Sequence, residues 1–205
     1  MTLTPESFPG PPIGIPVGQY FAHNIFTPYP FSRGHVHITG PDLDAKLDFE
    51  PGFFGDAGEI DIKKCRWAYK MQREIARRRS VYRGEVAVGH PPFAADSKAA
   101  CIETSEPLPR DVANIEYTPE DDAVIDQWLR EHVMTTWHSL GTCKMRPRDK
   151  MGVVDPSLNV YGAEALKVAD LSIAPSNIGA HTANTAMVIG EKAADIIIRE
   201  LGLAQ

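Results

Sequence analysis

The chain lacks several familiar signatures, and each absence narrows the reading. No stretch of its 205 residues reaches the roughly 18 to 20 consecutive apolar residues of a membrane span. The opening Met1-Thr2-Leu3-Thr4-Pro5 has neither the basic residues nor the apolar run of a secretory signal, and no Asn-x-Ser/Thr acceptor occurs. The closing Leu203-Ala204-Gln205 is not a Ser-Lys-Leu-type peroxisomal address. These features predict an intracellular protein, cytoplasmic or peroxisomal. Cysteine is scarce: Cys65, Cys101 and Cys143 are odd in number, far apart and in no Cys-x-x-Cys pair, which argues against a disulfide framework or a zinc site. No Gly-x-Gly-x-x-Gly or phosphate-loop pattern is present, so these residues hold no dinucleotide pyrophosphate in the usual way.

What is present is an ordinary globular composition, with 43% apolar and 23% charged residues. The net charge of -6 argues against a general nucleic-acid binder. Proline crowds the start (Pro5, Pro9, Pro11, Pro12, Pro16), so residues 1–24 read as an extended or looped linker. Arg33-Gly34 makes a turn, and His35-Val36-His37-Ile38-Thr39 alternates as a half-buried strand does. From Ile60 to Arg79 apolar residues recur with a helical period, predicting Ile62, Cys65, Ala68 or Tyr69, Met71 and Ile75 inward and a solvated basic face. A strand is possible at 85–88. Thr118-Pro119-Glu120-Asp121 is a helix start, with a hydroxyl cap, proline in the first turn and acids after it; Ile125, Trp128 and Leu129 form the buried side. A last helix is predicted over about 185–201, with Ala186, Ile189, Ala193, Ile197 and Leu201 inward and Gly202 ending it.

Chemistry concentrates in the last seventy residues. Trp137-His138-Ser139-Leu140-Gly141-Thr142-Cys143 occupies a polar, turn-rich setting, and Asn177-Ile178-Gly179-Ala180-His181-Thr182 follows some forty residues later. An imidazole titrates near neutrality, so His138 can accept a proton at working pH without large tuning. Spacing alone favours a buried structural histidine over a catalytic one. His181 precedes the last helix, whose first amides would attract negative charge; Thr182 or Asn184 could equally be a simple cap. Between the loops, Leu166–Ala169 reads as a short strand ending in Asp170, where an acid often meets a ribose, ribityl or backbone group. His35 and His37 share one strand face near Asp42 and Asp44, a spacing that can ligate a metal, but no third ligand is evident.

Taken together, these residues resemble the C-terminal half of the glucose-methanol-choline (GMC) family of flavin oxidoreductases, and its fungal alcohol oxidases in particular. The likeness is carried by Tyr29-Pro30-Phe31-Ser32-Arg33-Gly34, by Thr135-Thr136-Trp137-His138-Ser139-Leu140-Gly141-Thr142-Cys143-Lys144-Met145, and by Gly152-Val153-Val154-Asp155-Pro156. It continues through Leu158-Asn159-Val160-Tyr161-Gly162, Leu166-Lys167-Val168-Ala169-Asp170-Leu171-Ser172 and Ile189-Gly190-Glu191-Lys192-Ala193-Ala194. The resemblance implies an α+β fold. Residues 25–149 would be the substrate domain, an antiparallel sheet with helices on one face. Residues 150–205 would return to an incomplete FAD domain, giving it the 166–169 strand and the closing helix.

The resemblance also implies roles. His138 would be the base that takes the alcohol's hydroxyl proton, with hydride passing to flavin N5 and oxygen as acceptor giving hydrogen peroxide. His181 would hold the substrate oxygen. Asp170 and Leu171 would lie along the ribityl-phosphate side of FAD, and the amides of Thr182 and Ala183 would face the pyrimidine edge. Methanol-type members place Asn where this chain has His181, so alcohol oxidation is implied without methanol as the substrate. The family's Gly-rich half lies upstream of any segment here, so the expected partners are a missing N-terminal FAD domain, a small alcohol and, in the full-length form, further copies of the protein. Two other readings stand beside this one: a non-catalytic remnant acting as an interaction module through an open sheet edge, and a metal-binding protein using His35 and His37.

Overall fold

The structure is a computed structural model that describes residues 2–3, 18–179 and 181–203. The prolines at 5, 9, 11, 12 and 16 lie outside the described residues; the 18–24 stretch has no regular hydrogen-bonded structure. The chain forms two compact units, Met1–Thr136 and Trp137–Gln205. The class is α+β, as expected, but the sheet content is small. Among the described residues it consists of two antiparallel pairs and isolated bridges.

In the first unit β1 (Thr2–Leu3) pairs with β2 (Ile25–Phe26), and β3 (His35–His37) pairs with β4 (Asp48–Glu50), Val36 opposite Phe49. The expected strand thus stops two residues early, before Ile38 and Thr39. At the base of this hairpin the chain crosses itself closely. A Cβ on Gly34 would stand 2.2 Å from the Glu50 carbonyl oxygen, and one on Gly52, at φ 66°, would stand 2.0 Å from that of Arg33. Only glycine fits there.

Helix α1 spans Ile60–Arg77. Its first amides are satisfied from outside the helix: Asp56 accepts from Ile60 N at 2.6 Å and Asp61 N at 3.3 Å. Asp61 in turn accepts from Phe31 N at 3.0 Å and Ser32 N at 2.8 Å, fastening the Tyr29–Gly34 motif to the helix start. Burial would raise the Asp61 pKa, but the Ser32, Phe31 and Lys64 donors outweigh it and hold the carboxylate below its ordinary value.

The buried face of α1 corrects the sequence expectation. Ile62, Cys65 and Tyr69 are buried, but Met71 and Ile75 are exposed, and Arg73, Glu74 and Arg77 are buried in their place. The reason is that each charge has a partner. Arg73 forks onto Glu85 at 2.7 and 2.6 Å and also reaches Ala99 O and Tyr117 Oη. Glu74 accepts from Arg77, Arg78 and Ile115 N. Burial alone would lower the Arg73 pKa; the Glu85 carboxylate reverses this and keeps the guanidinium charged. The segment expected as a strand at 85–88 is instead a 3-10 turn, Ala87–Gly89, with a single bridge from Gly84 to Glu103 just before it. Its Glu85 is turned inward to meet Arg73.

Helix α2 spans Pro119–His132 behind a reciprocal cap: Thr118 Oγ1 accepts from Asp121 N at 3.1 Å, and Asp121 accepts from Thr118 N at 2.9 Å. Ile125, Trp128 and Leu129 pack with Ile62, Cys65, Tyr69 and Phe54 in one cluster. Burying each such side chain contributes roughly 1.5–3 kcal/mol. Burial also pushes the Cys65 thiol up to about 11, which leaves it unreactive.

The second unit is built around turns. Val154, Leu158, Ile173 and Ala193 form its core, with Met145, Val168, Ile189 and Ile196 against them. Residues 166–169 do not form a regular strand: Val160 N donates to Leu166 O, Val168 N donates to Leu158 O, and only Asn159 and Lys167 form a bridge. Positive φ at Leu158, Gly162 and Ala165 curls the chain before a ladder can extend. Helix α3 spans Ala183–Glu200. It ends as expected at Gly202, φ 65°, with Gly202 N donating to Arg199 O and Leu203 N to Ile198 O, a paired C-terminal closure. Ala193 is buried and Ile189 packs inward, but Ile197 and Leu201, expected inward, are exposed. Among the described residues no helix is long and apolar enough to cross a membrane.

Candidate active site

The second unit brings both candidate histidines together. His138 Nε2 lies 3.1 Å from His181 Nδ1, and the rings meet edge to face with centroids 5.0 Å apart. At that separation one facing nitrogen carries the shared hydrogen and the other accepts it, so the pair disfavours a second proton. Partial burial and the neighbouring His181 lower the His138 pKa from 6.5. A neutral His138 is therefore favoured, and a neutral imidazole is what a proton acceptor requires.

Backbone geometry holds the loop that carries His138. Trp137 adopts φ 58°, a left-handed conformation that costs a bulky residue on the order of 1–3 kcal/mol. Gly141, at φ 81°, passes close to the next segment: a Cβ there would stand 3.2 Å from Ala174 O. Gly141 N, Cys143 N and Met145 N then donate to the carbonyls of Leu171, Ser172 and Ile173 at 3.3, 2.9 and 2.8 Å. The loop is thereby laid along the 3-10 turn Leu171–Ile173.

Asp170 starts that turn, its Oδ1 accepting from Ser172 N at 2.7 Å. The Ser172 hydrogen bonds lower its pKa, so the carboxylate stays ionised. Asp170 and Leu171 line a cavity of about 340 Å³ together with Ser139, Leu140, Thr142 and Ala186. Ser139, Leu140, Thr142 and Ala186 were not named as site residues from the sequence. Ser139, Leu140 and Thr142 stand beside His138 in its motif, which was the available signal, and Ala186 was read only as an inward residue of the last helix.

Thr182 is buried at the N-cap of α3 in a helical conformation and makes no side-chain capping bond. The alternative that Thr182 serves as a side-chain cap is thus set aside. Ala183 is exposed as the first helical residue. The first turn of α3 points its N–H groups away from the helix body, beside His181, and suits an anion or a carbonyl oxygen.

His35 and His37 lie apart from this arrangement, on β3. Their rings stack with centroids 5.2 Å apart, and His35 Nε2 meets Asp48 Oδ1 at 3.1 Å. Among the described residues no three His, Cys, Asp or Glu side chains are arranged to hold a metal ion.

Comparison with known proteins places the chain in a family. Residues 30–190 match the GMC oxidoreductase family. The chain is 40% identical over 92% of its length to alcohol oxidase 1 of Komagataella phaffii, and equally to the alcohol oxidase of Pichia angusta; in each case it covers 35% of the relative. Among solved structures, the pyridoxine 4-oxidase from Mesorbium loti aligns with 98% of the chain and 33% of its own, at TM-score 0.61 and 26% identity. An FAD-dependent oxidoreductase from Chaetomium thermophilum shares the fold over 89% of this chain and 27% of its own, at TM-score 0.66 and 24% identity. The chain spans about a third of the length of the curated relatives it matches. From its loops to its closing helix, this polypeptide belongs to the GMC oxidoreductase family, whose members are FAD-dependent flavoproteins and include the alcohol oxidases.

Proposed function

We propose that this chain supplies the proton-accepting side of an FAD-dependent alcohol oxidase, with His138 as the base. The observation that carries the reading is the His138–His181 pair, 3.1 Å apart and biased towards neutral His138. The substrate hydroxyl enters between the two rings in place of their direct hydrogen bond, His138 Nε2 takes the hydroxyl proton, and the charge left on the substrate oxygen drives loss of the carbon-bound hydrogen as hydride. His181 holds that oxygen and shares the proton once it has moved.

The residues fit one part of a flavin. The first turn of α3, through Thr182 and Ala183, offers N–H donors where negative charge would collect, and Asp170 and Leu171 line a cavity of about 340 Å³. When bound, FAD would supply the hydride acceptor, with oxygen as the proposed final electron acceptor giving hydrogen peroxide. The remaining contacts belong to the upstream part of a full-length chain, whose FAD domain is the proposed partner. A small alcohol is the proposed substrate, with an intracellular setting and assembly into homo-oligomers. In the family's terms, residues 25–149 serve as the substrate domain and 150–205 complete the FAD domain.

The experiment is His138→Ala in the full-length flavoprotein. Turnover of alcohol should fall by about 100- to 10,000-fold, while the flavin absorbance of the purified protein stays. Turnover near the original rate would remove His138 from the mechanism. A second reading, a non-catalytic interaction module, draws on the exposed apolar side chains of α3, Met187, Val188 and Ile198, and of Leu201 just after it. A full-length protein that purifies colourless and takes up no FAD would favour it.

A further inference from the structure

We infer that Asp170 is a positioning residue for His138, acting through the turn it starts. The inference rests on the reading of His138 as the base, and it follows a continuous path of hydrogen bonds. Asp170 Oδ1 accepts from Ser172 N at 2.7 Å and fixes the 3-10 turn Leu171–Ile173. All three carbonyls of that turn accept amides from the loop after His138, those of Gly141, Cys143 and Met145. Gly141, at φ 81°, lets the loop lie close to the turn, where a Cβ would stand 3.2 Å from Ala174 O. The loop so held places His138 Nε2 at 3.1 Å from His181 Nδ1.

The charge of Asp170 also argues for this role. Its favourable partner is the backbone N–H it already holds. Loss of that acceptor lets the turn open, and the displacement reaches His138 through the rungs it shares with residues 141–145. A short polar side chain bonding its own backbone two residues on is a local device of this kind.

The test follows the imidazole ¹⁵N shifts of His138 and His181 against pH in the histidine-labelled protein. Asp170→Ala should move the His138 titration up towards its ordinary value and remove its coupling to His181. Asp170→Asn, whose amide oxygen still accepts from Ser172 N, should keep the wild-type titration and coupling. Asp170→Ser, a weaker acceptor, should shift His138 in the same direction as alanine by less, and it serves should the alanine variant not fold. An unshifted His138 in Asp170→Ala or Asp170→Ser overturns the inference, and so does an equal shift in Asp170→Asn, which would assign the effect to charge. These readouts need no turnover. A failure of His138 as the base, seen by His138→Ala, therefore stays distinguishable from a failure of Asp170 to position it.

Discussion

The two units are stabilised by different means. The first buries two long helices against each other and places charge inside: Arg73 and Glu85 are almost fully covered, and Glu74 and Arg77 are buried beside them. The second has a smaller core and relies on backbone rungs between turns at positive φ, while its helix α3 leaves Met187, Val188 and Leu201 in contact with solvent. A unit organised by side-chain pairs tolerates loop variation but not loss of a partner. A unit organised by backbone rungs aims particular side chains, and here it aims two imidazoles at each other. Rigidity of one kind suits a scaffold, and that of the other suits a reacting site.

Substitutions in the first unit sharpen this contrast. Arg73→Met should destabilise by about 3–5 kcal/mol in chemical denaturation, because Glu85 is left buried and unpaired. Replacing Glu85 by Leu in the same protein should recover most of that loss. Should the single variant lose less than about 1 kcal/mol, the buried pair is not what orders residues 84–117 on α1.

A pH effect of similar size belongs to His90, whose Nδ1 lies 2.8 Å from Tyr69 Oη. Burial, outweighing Glu85 and aided by Arg73, pushes its pKa from 6.5 to about 4. Between these values the unfolded chain binds the proton and the folded one does not. Stability is therefore complete above about pH 6.5 and declines as pH falls towards 4, by up to about 3 kcal/mol. His90→Gln keeps an acceptor for Tyr69 and should flatten that slope; an unchanged slope would assign the acid sensitivity elsewhere.

The smallest effect is local. Thr118→Ala removes one half of the α2 cap and should cost about 1 kcal/mol. No measurable change would mean that Asp121 alone caps the helix.

Helix α2 was fully readable in the sequence because every cue agreed: Thr118, Pro119, the acids behind them and the Ile125, Trp128, Leu129 face. Helix α1 was readable in extent but not in orientation. Its apolar period placed Met71 and Ile75 inward, since periodicity cannot register a charge that has a buried partner twelve residues on, as Arg73 has in Glu85. The same blindness turned 85–88 into a strand. At the site, His138 and His181 were both named from their loops, but their separation came from rungs that join residues 141–145 to 171–173, and no local pattern shows such pairing. Leu166–Ala169 has the composition of a strand; its hydrogen bonds go to a neighbouring curl at 158–160 because the flanking turns leave no straight partner.

The central claim is that His138 must be neutral to take the alcohol's proton. The direct measurement is the rate at which alcohol bleaches the flavin of the full-length protein without oxygen, followed against pH. The rate should fall with acid through a pKa below the ordinary histidine value of 6.5, and in His138→Ala that inflection should vanish from a far slower reaction. An inflection that persists unchanged in the variant would contradict the account.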